Sequence, residues 1–350
     1  MKYSNAQARL IEEALKRKHG LEQARCYVGM RYWHPFTEDA LREIRRDGIN
    51  ALVIVPLYPQ FSISTSGSSL RVLQEEFAKT YDNGNNNKHK DVFEHTVVAS
   101  WFDRPGYVSC MARLINEELD QMECGPEEKH VLFSAHGVPK SYIDAGDPYQ
   151  EQIIKCVDAI GKQLPLEDER IHLSYQSRVG PIEWLRPYTD DVLPELGQSG
   201  VKNLVVVPIS FVSEHIETLE EIDIEYRELA EENGITNWRR CPALNTDEGF
   251  IEDMADLVME ALSEPATTVT EACVANNCEI ETQPFDERMG MVTSLETNTA
   301  SGNKKSGDVD AKSMITAELL NGRLAMMGVA GTMLLELLNG KSLLRLFGMM

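Results

Sequence analysis

Short apolar segments alternate with amphipathic ones along the first 262 residues of the chain. The apolar runs at 51–55, 131–133 and 204–207 are continuous, a pattern typical of parallel strands that are buried on both faces. Segments with apolar residues every three or four positions follow most of these runs and predict helices. Strands and helices in regular succession predict an α/β fold with parallel sheets flanked by helices.

The individual elements follow from the same pattern. The predicted strands are 26–28, 51–55, 96–99, 131–133, 171–175 and 204–207. The predicted helices are an N-terminal one with Ala8, Ile11 and Leu15 on its apolar face, then 37–46, 68–79, 107–122, 149–164, 190–196, an acidic helix after 213, and 248–262. The chain is expected to begin on a helix whose preceding strand is absent.

An internal echo predicts two similar, Rossmann-like halves. NALVIVPLYPQFS (50–62) and KNLVVVPISFVSE (202–214) share a strand, a proline and a polar turn at the same spacing. In such folds the site lies in the cleft outside the carboxyl ends of the strands. The predicted organisation is a first α/β half at 1–125, a second half carrying the acidic helix at 126–262, a polar linker at 263–312 and a tail at 313–350.

The tail carries the pattern of one C-terminal transmembrane helix. Residues 319–338 are mostly apolar and long enough to cross a hydrocarbon core of about 30 Å. Gly328 and Gly331 provide a small-residue surface of the kind that membrane helices use for close packing. Lys341 and Arg345 add a positive flank.

Composition narrows the class of partner. The chain has 34 basic and 56 acidic residues and a net charge of −22, which argues against nucleic-acid binding. Its seven cysteines are scattered and do not predict a disulfide framework. The N-terminal residues lack the apolar core of a signal peptide and carry acids that transit peptides avoid.

The acidic helix contains Glu217, Glu221 and Glu225, which recur every fourth residue and predict a column of carboxylates on one face. Like charges at this spacing destabilise an isolated helix by about 0.2–0.5 kcal/mol per pair. A site that binds cations or protons would offset this cost. A solvated acidic face near a helix N-terminus is the alternative. His136, at the end of a predicted strand, is more often structural when alone. Paired with the carboxylates, it suits proton removal from a substrate while a divalent cation is supplied.

Five segments resemble segments of the ferrochelatase family and follow one another along the chain in the same order as in that family. They are VGMRYWHPFTEDAL (28–41), LYPQFSISTSGSSL (57–70), LFSAHGVP with GDPY (132–149), YQSRVGPIEWLRP (175–187) and PISFVSEHIETLEEIDIEY (208–226). The resemblance implies the chelatase fold and an enzyme that inserts Fe²⁺ into protoporphyrin IX to form protohaem, the last step of haem biosynthesis. Iron is then a substrate, and no iron–sulfur cluster is expected, because Cys273 and Cys278 do not match the cluster cysteines of animal members.

Residue roles follow from the same resemblance. His136 and Glu217 are expected to be catalytic, on opposite walls of the cleft. Handling of the metal is expected from a larger set: His136, Glu217, Glu221, Glu225, His215 and Glu214. Binding of the porphyrin is expected from Arg31, Tyr58 and Ser64.

The tail has a resemblance of its own. ELLNGRLAMMG (318–328) is similar to the chlorophyll-binding helix of light-harvesting and single-helix stress proteins. This implies that Glu318 and Asn321 bind chlorophyll, with or without carotenoid, and that Arg323 pairs with the Glu of a partner helix in a homodimer. It also implies a chloroplast thylakoid location with the catalytic domain on the stromal side. A plain membrane anchor without pigment is the alternative.

Two other functions are left open. The family's first strand and its Gly-rich loop are not found ahead of Met1, which leaves room for a porphyrin- or pigment-binding regulatory protein with an inactive, truncated chelatase domain. The second alternative is a chelatase that loads another metal, Co²⁺ or Ni²⁺, into a different tetrapyrrole.

Overall fold

The structure is a computed structural model that describes residues 2–49, 51–82, 93–178, 181–264 and 267–276. Its strands are β1 Ala51–Ile54, β2 Glu94–Val97, β3 Lys129–His136, β4 Ile171–Gln176, β5 Asn203–Pro208 and β6 Asn237–Arg240. Its α-helices are α1 Lys2–His19, α2 Thr37–Arg46, α3 Ser68–Asp82, α4 Pro105–Asp120, α5 Lys140–Asp144, α6 Tyr149–Gly161, α7 Thr189–Gln198, α8 Arg227–Glu232, α9 Glu248–Ser263 and α10 Val269–Ala275. Two further helices have the wide π form, Ile63–Gly67 and Glu217–Tyr226.

The larger sheet has four parallel strands in the order β4-β3-β5-β6. Successive residues of β3 and β5 point to opposite faces, and both faces are fully covered. Phe133 and Val207 face a core that includes residues of α1, α4, α6 and α9. Leu132 and Val206 face a second core with residues of α7, α8 and β6. The prediction of parallel strands buried on both faces is therefore confirmed for 131–133 and 204–207, whereas no residue of β1, the run at 51–54, is fully buried.

The smaller sheet pairs β1 with β2 in parallel within the described residues. Leu41 and Ile44 of α2 pack with Phe93 on one side of it. The described residues thus form an α/β arrangement of parallel sheets flanked by helices. Helix α9, at the end of the second predicted half, packs against α1 and α4 of the first.

The strand predicted at 26–28 is wrong. These residues have no ladder partner among the described residues, and side chains take up their hydrogen bonds instead. The backbone N–H of Cys26 donates to Glu12 Oε2 (3.1 Å), and the Tyr27 hydroxyl donates to Asp47 Oδ2 (2.9 Å). A short apolar run cannot by itself specify a neighbour for pairing.

The start of the predicted linker also differs from the expectation. Residues 267–276 include α10, whose Val269, Ala272 and Cys273 are buried against Phe61 and Leu70. Three apolar contacts in ten residues are too few to give a visible helical period in a Thr-rich stretch. The predicted transmembrane segment and the tail lie outside the described residues. Within the described part of the chain, no helix is long and apolar enough to cross a membrane.

Candidate active site

His136 is the last residue of β3, and its backbone is held from two other elements. Its N–H donates to Ser210 Oγ (3.0 Å), just after β5, and its carbonyl accepts from the hydroxyl of Tyr149 (2.9 Å), the first residue of α6. The Tyr149 hydroxyl and Ser210 Oγ are 2.7 Å apart. Because the Tyr149 proton goes to a carbonyl, Ser210 must be the donor in that contact. The closed ring of hydrogen bonds fixes the place from which the imidazole extends.

Glu217 is the first residue of the acidic π-helix, Glu217–Tyr226. Its Oε2 lies 2.9 Å from Nδ1 of His136, and the two side chains are 35% and 37% exposed. A substrate can therefore reach the pair. Helices of the π form are rare and frequently occur at functional sites. The prediction that these residues face each other across a cleft is wrong, because a 2.9 Å contact leaves no room for a substrate between them.

The electrostatics of this pair favour an ionised carboxylate. Burial raises the pKa of Glu217. The hydrogen bond and the positive charge of His136 lower this pKa by more than burial raises it, so that it lies below its ordinary value. An ionised carboxylate can only accept, so Nδ1 of His136 carries the proton in this contact. In a neutral imidazole the lone pair is then on Nε2, the arrangement of a general base oriented by a carboxylate.

Glu221 is engaged in a different way from the prediction. Its Oε1 accepts from the backbone N–H of Ser177 (3.0 Å) and from the Tyr226 hydroxyl (2.9 Å). Its Oε2 accepts from the Ser177 hydroxyl (2.7 Å) and from Gln176 Nε2 (3.0 Å). Ser177, directly after β4, has a left-handed backbone with φ of 64°. We call Gln176, Ser177, Glu221 and Tyr226 the Glu221 cluster.

Glu214 is also occupied as a structural anchor. Its Oε1 accepts from Arg240 Nη1 and from the backbone N–H of Ala243, both at 2.9 Å, and its Oε2 accepts from Thr218 Oγ1 (2.7 Å). Burial raises the pKa of Glu214, but these donors outweigh it and hold the pKa below its ordinary value. Both oxygens have partners within the fold, which argues against the predicted role as a metal ligand.

His215 contacts the helix start rather than a metal position. Its Nδ1 accepts the backbone N–H of Glu217 (3.1 Å), so the ring proton is on Nε2. That Nε2 is buried and has no hydrogen-bond partner among the described residues. Burial lowers the pKa of His215, which keeps the ring neutral. Its observed role is to cap the first turn of the acidic π-helix.

Glu225 is exposed, and its pKa is raised by the partial desolvation of its carboxyl and by the negative charges of Glu221 and Glu220. Of the six residues predicted to handle the metal, the structure brings the side chains of His136 and Glu217 together as a pair open to substrate. Across the described residues, no group of three His, Cys, Asp or Glu side chains is positioned to hold a metal ion. Metal binding at this pair would need further ligands, which water or the four nitrogens of a porphyrin can supply.

Of the three residues predicted to bind porphyrin, Arg31 and Tyr58 lie on loops, and Ser64 lies in the short π-form helix Ile63–Gly67. Arg31 Nε donates to Ser68 Oγ (3.0 Å), and Ser64 Oγ is 3.0 Å from Ser62 Oγ. Tyr58 is 41% exposed, and the nearby Tyr32 and Trp33 are exposed as well. Exposed aromatic side chains are unusual in a folded domain and suit stacking on a flat apolar ligand.

Asp147 is a site residue to which the sequence analysis assigned no role. It is 4% exposed and accepts from Ser62 Oγ (2.8 Å), the Ile63 N–H (2.9 Å) and the Tyr149 N–H (3.0 Å). It thereby connects residues 57–67 to the start of α6. Burial raises the pKa of this carboxyl. Its place in GDPY was the available signal, since an Asp before a Pro often organises a turn.

Comparisons with known proteins identify the family of this chain. A family model described as ferrochelatase matches residues 1–262. A ferrochelatase of Trichodesmium erythraeum is 50% identical over 346 residues, 98% of this chain and 80% of that protein. A ferrochelatase of a Picosynechococcus strain is 48% identical over 330 residues, 94% of this chain and 77% of that protein.

Solved structures add a likeness in fold. A structure of SirB from Bacillus subtilis with Fe³⁺ has a TM-score of 0.54 at 13% identity and covers 76% of this chain and 93% of that chain. The sirohydrochlorin chelatase SirB from Bacillus subtilis subspecies spizizenii in complex with cobalt has a TM-score of 0.50 at 11% identity, with 76% and 92% covered. At these identities the likeness describes the fold alone.

Proposed function

This chain belongs to the ferrochelatase family, metal chelatases of the lyase class that carry out the last step of haem biosynthesis, and we propose that its His136–Glu217 pair performs the metallation. The substrates are protoporphyrin IX and Fe²⁺. The observation that carries the assignment of the site is the 2.9 Å contact between the two side chains at the end of β3, with both still reachable from solvent.

Metallation replaces two pyrrole protons by one Fe²⁺, so charge balances when both protons leave. We infer that His136 accepts one pyrrole proton at Nε2 while its Nδ1–H stays bonded to Glu217, and that the second proton passes to solvent, which reaches the pair. The ionised carboxylate stabilises the imidazolium that forms, as an orienting acid does for a catalytic histidine. The depressed pKa of Glu217 supports this role, because it keeps the carboxylate charged at neutral pH.

The other two functions are less well supported. A binding-only protein gives no reason for an oriented, solvent-reachable imidazole–carboxylate pair, and the relatives compared are ferrochelatases over nearly the whole of this chain. The likeness to chelatases of another tetrapyrrole is in fold alone. Choice of metal is not decided by the residue types, since imidazole and carboxylate suit Fe²⁺ and Zn²⁺ alike.

The test is insertion of Fe²⁺ or Zn²⁺ into protoporphyrin IX by the purified chain, followed by absorbance. His136→Ala and Glu217→Gln should each lower kcat by roughly 10²-fold or more and leave porphyrin binding in place. His19→Ala and Glu220→Gln are matched controls on α1 and on the acidic π-helix. Full turnover in His136→Ala would refute the assignment.

We also propose that residues 313–350 anchor the enzyme in a chloroplast thylakoid membrane, with the catalytic domain on the stromal side. The apolar segment 319–338 supports this, as does the match to a cyanobacterial relative over 98% of this chain, which extends into the tail. Pigment binding at Glu318, Asn321 and Arg323 and pairing of two tails are part of the same proposal. Flotation of the full chain with lipid vesicles, lost on deletion of 313–350, tests the anchor. Recovery of chlorophyll with the full chain, lost in Glu318→Ala, tests the pigment site.

A further inference from the structure

The Glu221 carboxylate has no capacity left for a metal ion in this conformation. A carboxylate offers about four acceptor positions, and Glu221 uses four, toward Ser177 N–H, Ser177 Oγ, Gln176 Nε2 and Tyr226 Oη. Coordination of a cation would require at least one of these bonds to break. The partner of Glu217, in contrast, is His136, the residue proposed to accept the pyrrole proton.

The Glu221 cluster continues into the buried part of the larger sheet. Gln176 Oε1 accepts from Ser134 Oγ (2.7 Å), and both side chains are fully buried. Ser134 lies on β3, two residues before His136, and Gln176 on β4 is paired in register with His136. One end of this chain of hydrogen bonds is therefore on the strand of His136. The other end is on the helix that begins with Glu217.

Ser177 indicates that the connection is under strain. A left-handed backbone is unfavourable for a serine and persists when its surroundings hold it in place. Both polar hydrogens of Ser177, on its amide and on its hydroxyl, go to Glu221. Tyr226 contacts Glu221 from the last position of the acidic π-helix. The helix is thus tied at its middle, through Glu221, to the turn that follows β4, and Tyr226 holds the Glu221 carboxylate from the end of the same helix.

We propose that Glu221 is a positioning residue that fixes the acidic π-helix against the ends of β3 and β4 and so aligns Glu217 with His136. It does not carry metal to the site. The inference rests on the metallation proposed above, and it replaces the expectation that Glu221 belongs to a row of carboxylates that handle the metal. It also assigns Tyr226 and Ser177, which touch neither metal nor porphyrin in this account, an indirect part in turnover.

The test compares Glu221→Gln, Tyr226→Phe and Ser177→Ala in the full chain, with Glu220→Gln as control. Glu220 is exposed on the same helix and makes no hydrogen bond within the described residues. Glu221→Gln should lower kcat roughly ten-fold or more while KM for Zn²⁺ changes less than about two-fold. Tyr226→Phe and Ser177→Ala should show the same division with smaller losses. A rise in KM for Zn²⁺ at unchanged kcat would overturn the proposal.

A double-mutant cycle separates positioning from general destabilisation. If Tyr226 acts through Glu221, Tyr226→Phe should cost little when Glu221→Gln is already present, and losses that simply multiply would overturn the proposal. Calorimetric titration with Zn²⁺ needs no turnover, so it tests the role of Glu221 even if the chain does not metallate porphyrin. A failure of this proposal can therefore be told apart from a failure of the proposed function. Glu217→Gln should weaken Zn²⁺ binding and Glu221→Gln should not. Equal weakening by both would make Glu221 a ligand.

Discussion

The buried carboxylate of Asp147 is the connection whose loss should cost most stability near the site. In Asp147→Ala, the backbone N–H groups of Ile63 and Tyr149 lose their acceptor, while the Ser62 hydroxyl can turn toward Ser64. Each orphaned buried donor costs about 1–3 kcal/mol. Part is offset because the variant no longer buries a charge, a cost visible in the raised pKa of Asp147. We expect the free energy of unfolding to fall by about 2–4 kcal/mol.

Urea unfolding followed by tryptophan fluorescence measures this loss. Asp144→Ala is the matched control, because Asp144 is 65% exposed and lies 3.6 Å from Lys140 in a surface pair worth less than about 1 kcal/mol. Asp147→Asn should fall between the two, since an amide has one oxygen to offer and Asp147 uses two. The reasoning fails if Asp147→Ala and Asp144→Ala unfold at the same urea concentration with the same slope.

Three further outcomes are expected. Because the pKa of Glu217 is depressed, its ionised carboxylate should stabilise the parent chain relative to Glu217→Gln in full above pH 4.5, the ordinary value, and this difference should disappear as the pH falls through the lower folded-state pKa. Urea unfolding at a series of pH values measures the difference, and a difference that stays constant toward low pH would contradict the prediction. A chain that ends after residue 262 should be less stable by roughly 2 kcal/mol or more than one that ends after residue 276, because α10 covers Phe61; equal unfolding midpoints would contradict this. Tyr149→Phe should lower kcat several-fold with KM for porphyrin unchanged, because the His136 carbonyl loses its donor. An unchanged kcat would show that the ring of hydrogen bonds does not position the imidazole.

The fold was largely predictable where burial leaves a clear pattern. Strands β3 and β5 are covered on both faces, so their apolar runs are continuous, and both were expected, as was β4 beside them. Strand β6 was not, because its Arg239 and Arg240 look unsuited to a sheet. Both arginines are neutralised by acids distant in sequence, Glu118 and Glu214 among them, which no local pattern reveals.

The site was predictable in its residue types and less so in its geometry. His136 and Glu217 were singled out by a strand end and an acidic helix, and they do form a pair. Their direct contact was missed, because the position of a helix relative to a strand 81 residues away depends on the tertiary packing. The same holds for Glu214, whose partner Arg240 follows 26 residues later and removes it from the set of free carboxylates.

The surroundings of the acidic helix explain why one regular column of carboxylates divides into separate functions. Spacing by four predicted that Glu217, Glu221 and Glu225 share one environment. Residues four apart also lie near one another on a π-helix, so the contacts with other elements, and not the form of the helix, separate the three carboxylates. Glu217 reaches the end of β3, Glu221 reaches the turn after β4, and Glu225 is left exposed. The pKa of Glu217 is accordingly lowered by an imidazole, whereas that of Glu225 is raised by the partial desolvation of its carboxyl and by its acidic neighbours. A metallating site needs one charged carboxylate beside its base, and the second carboxylate of the column stabilises the position of the first.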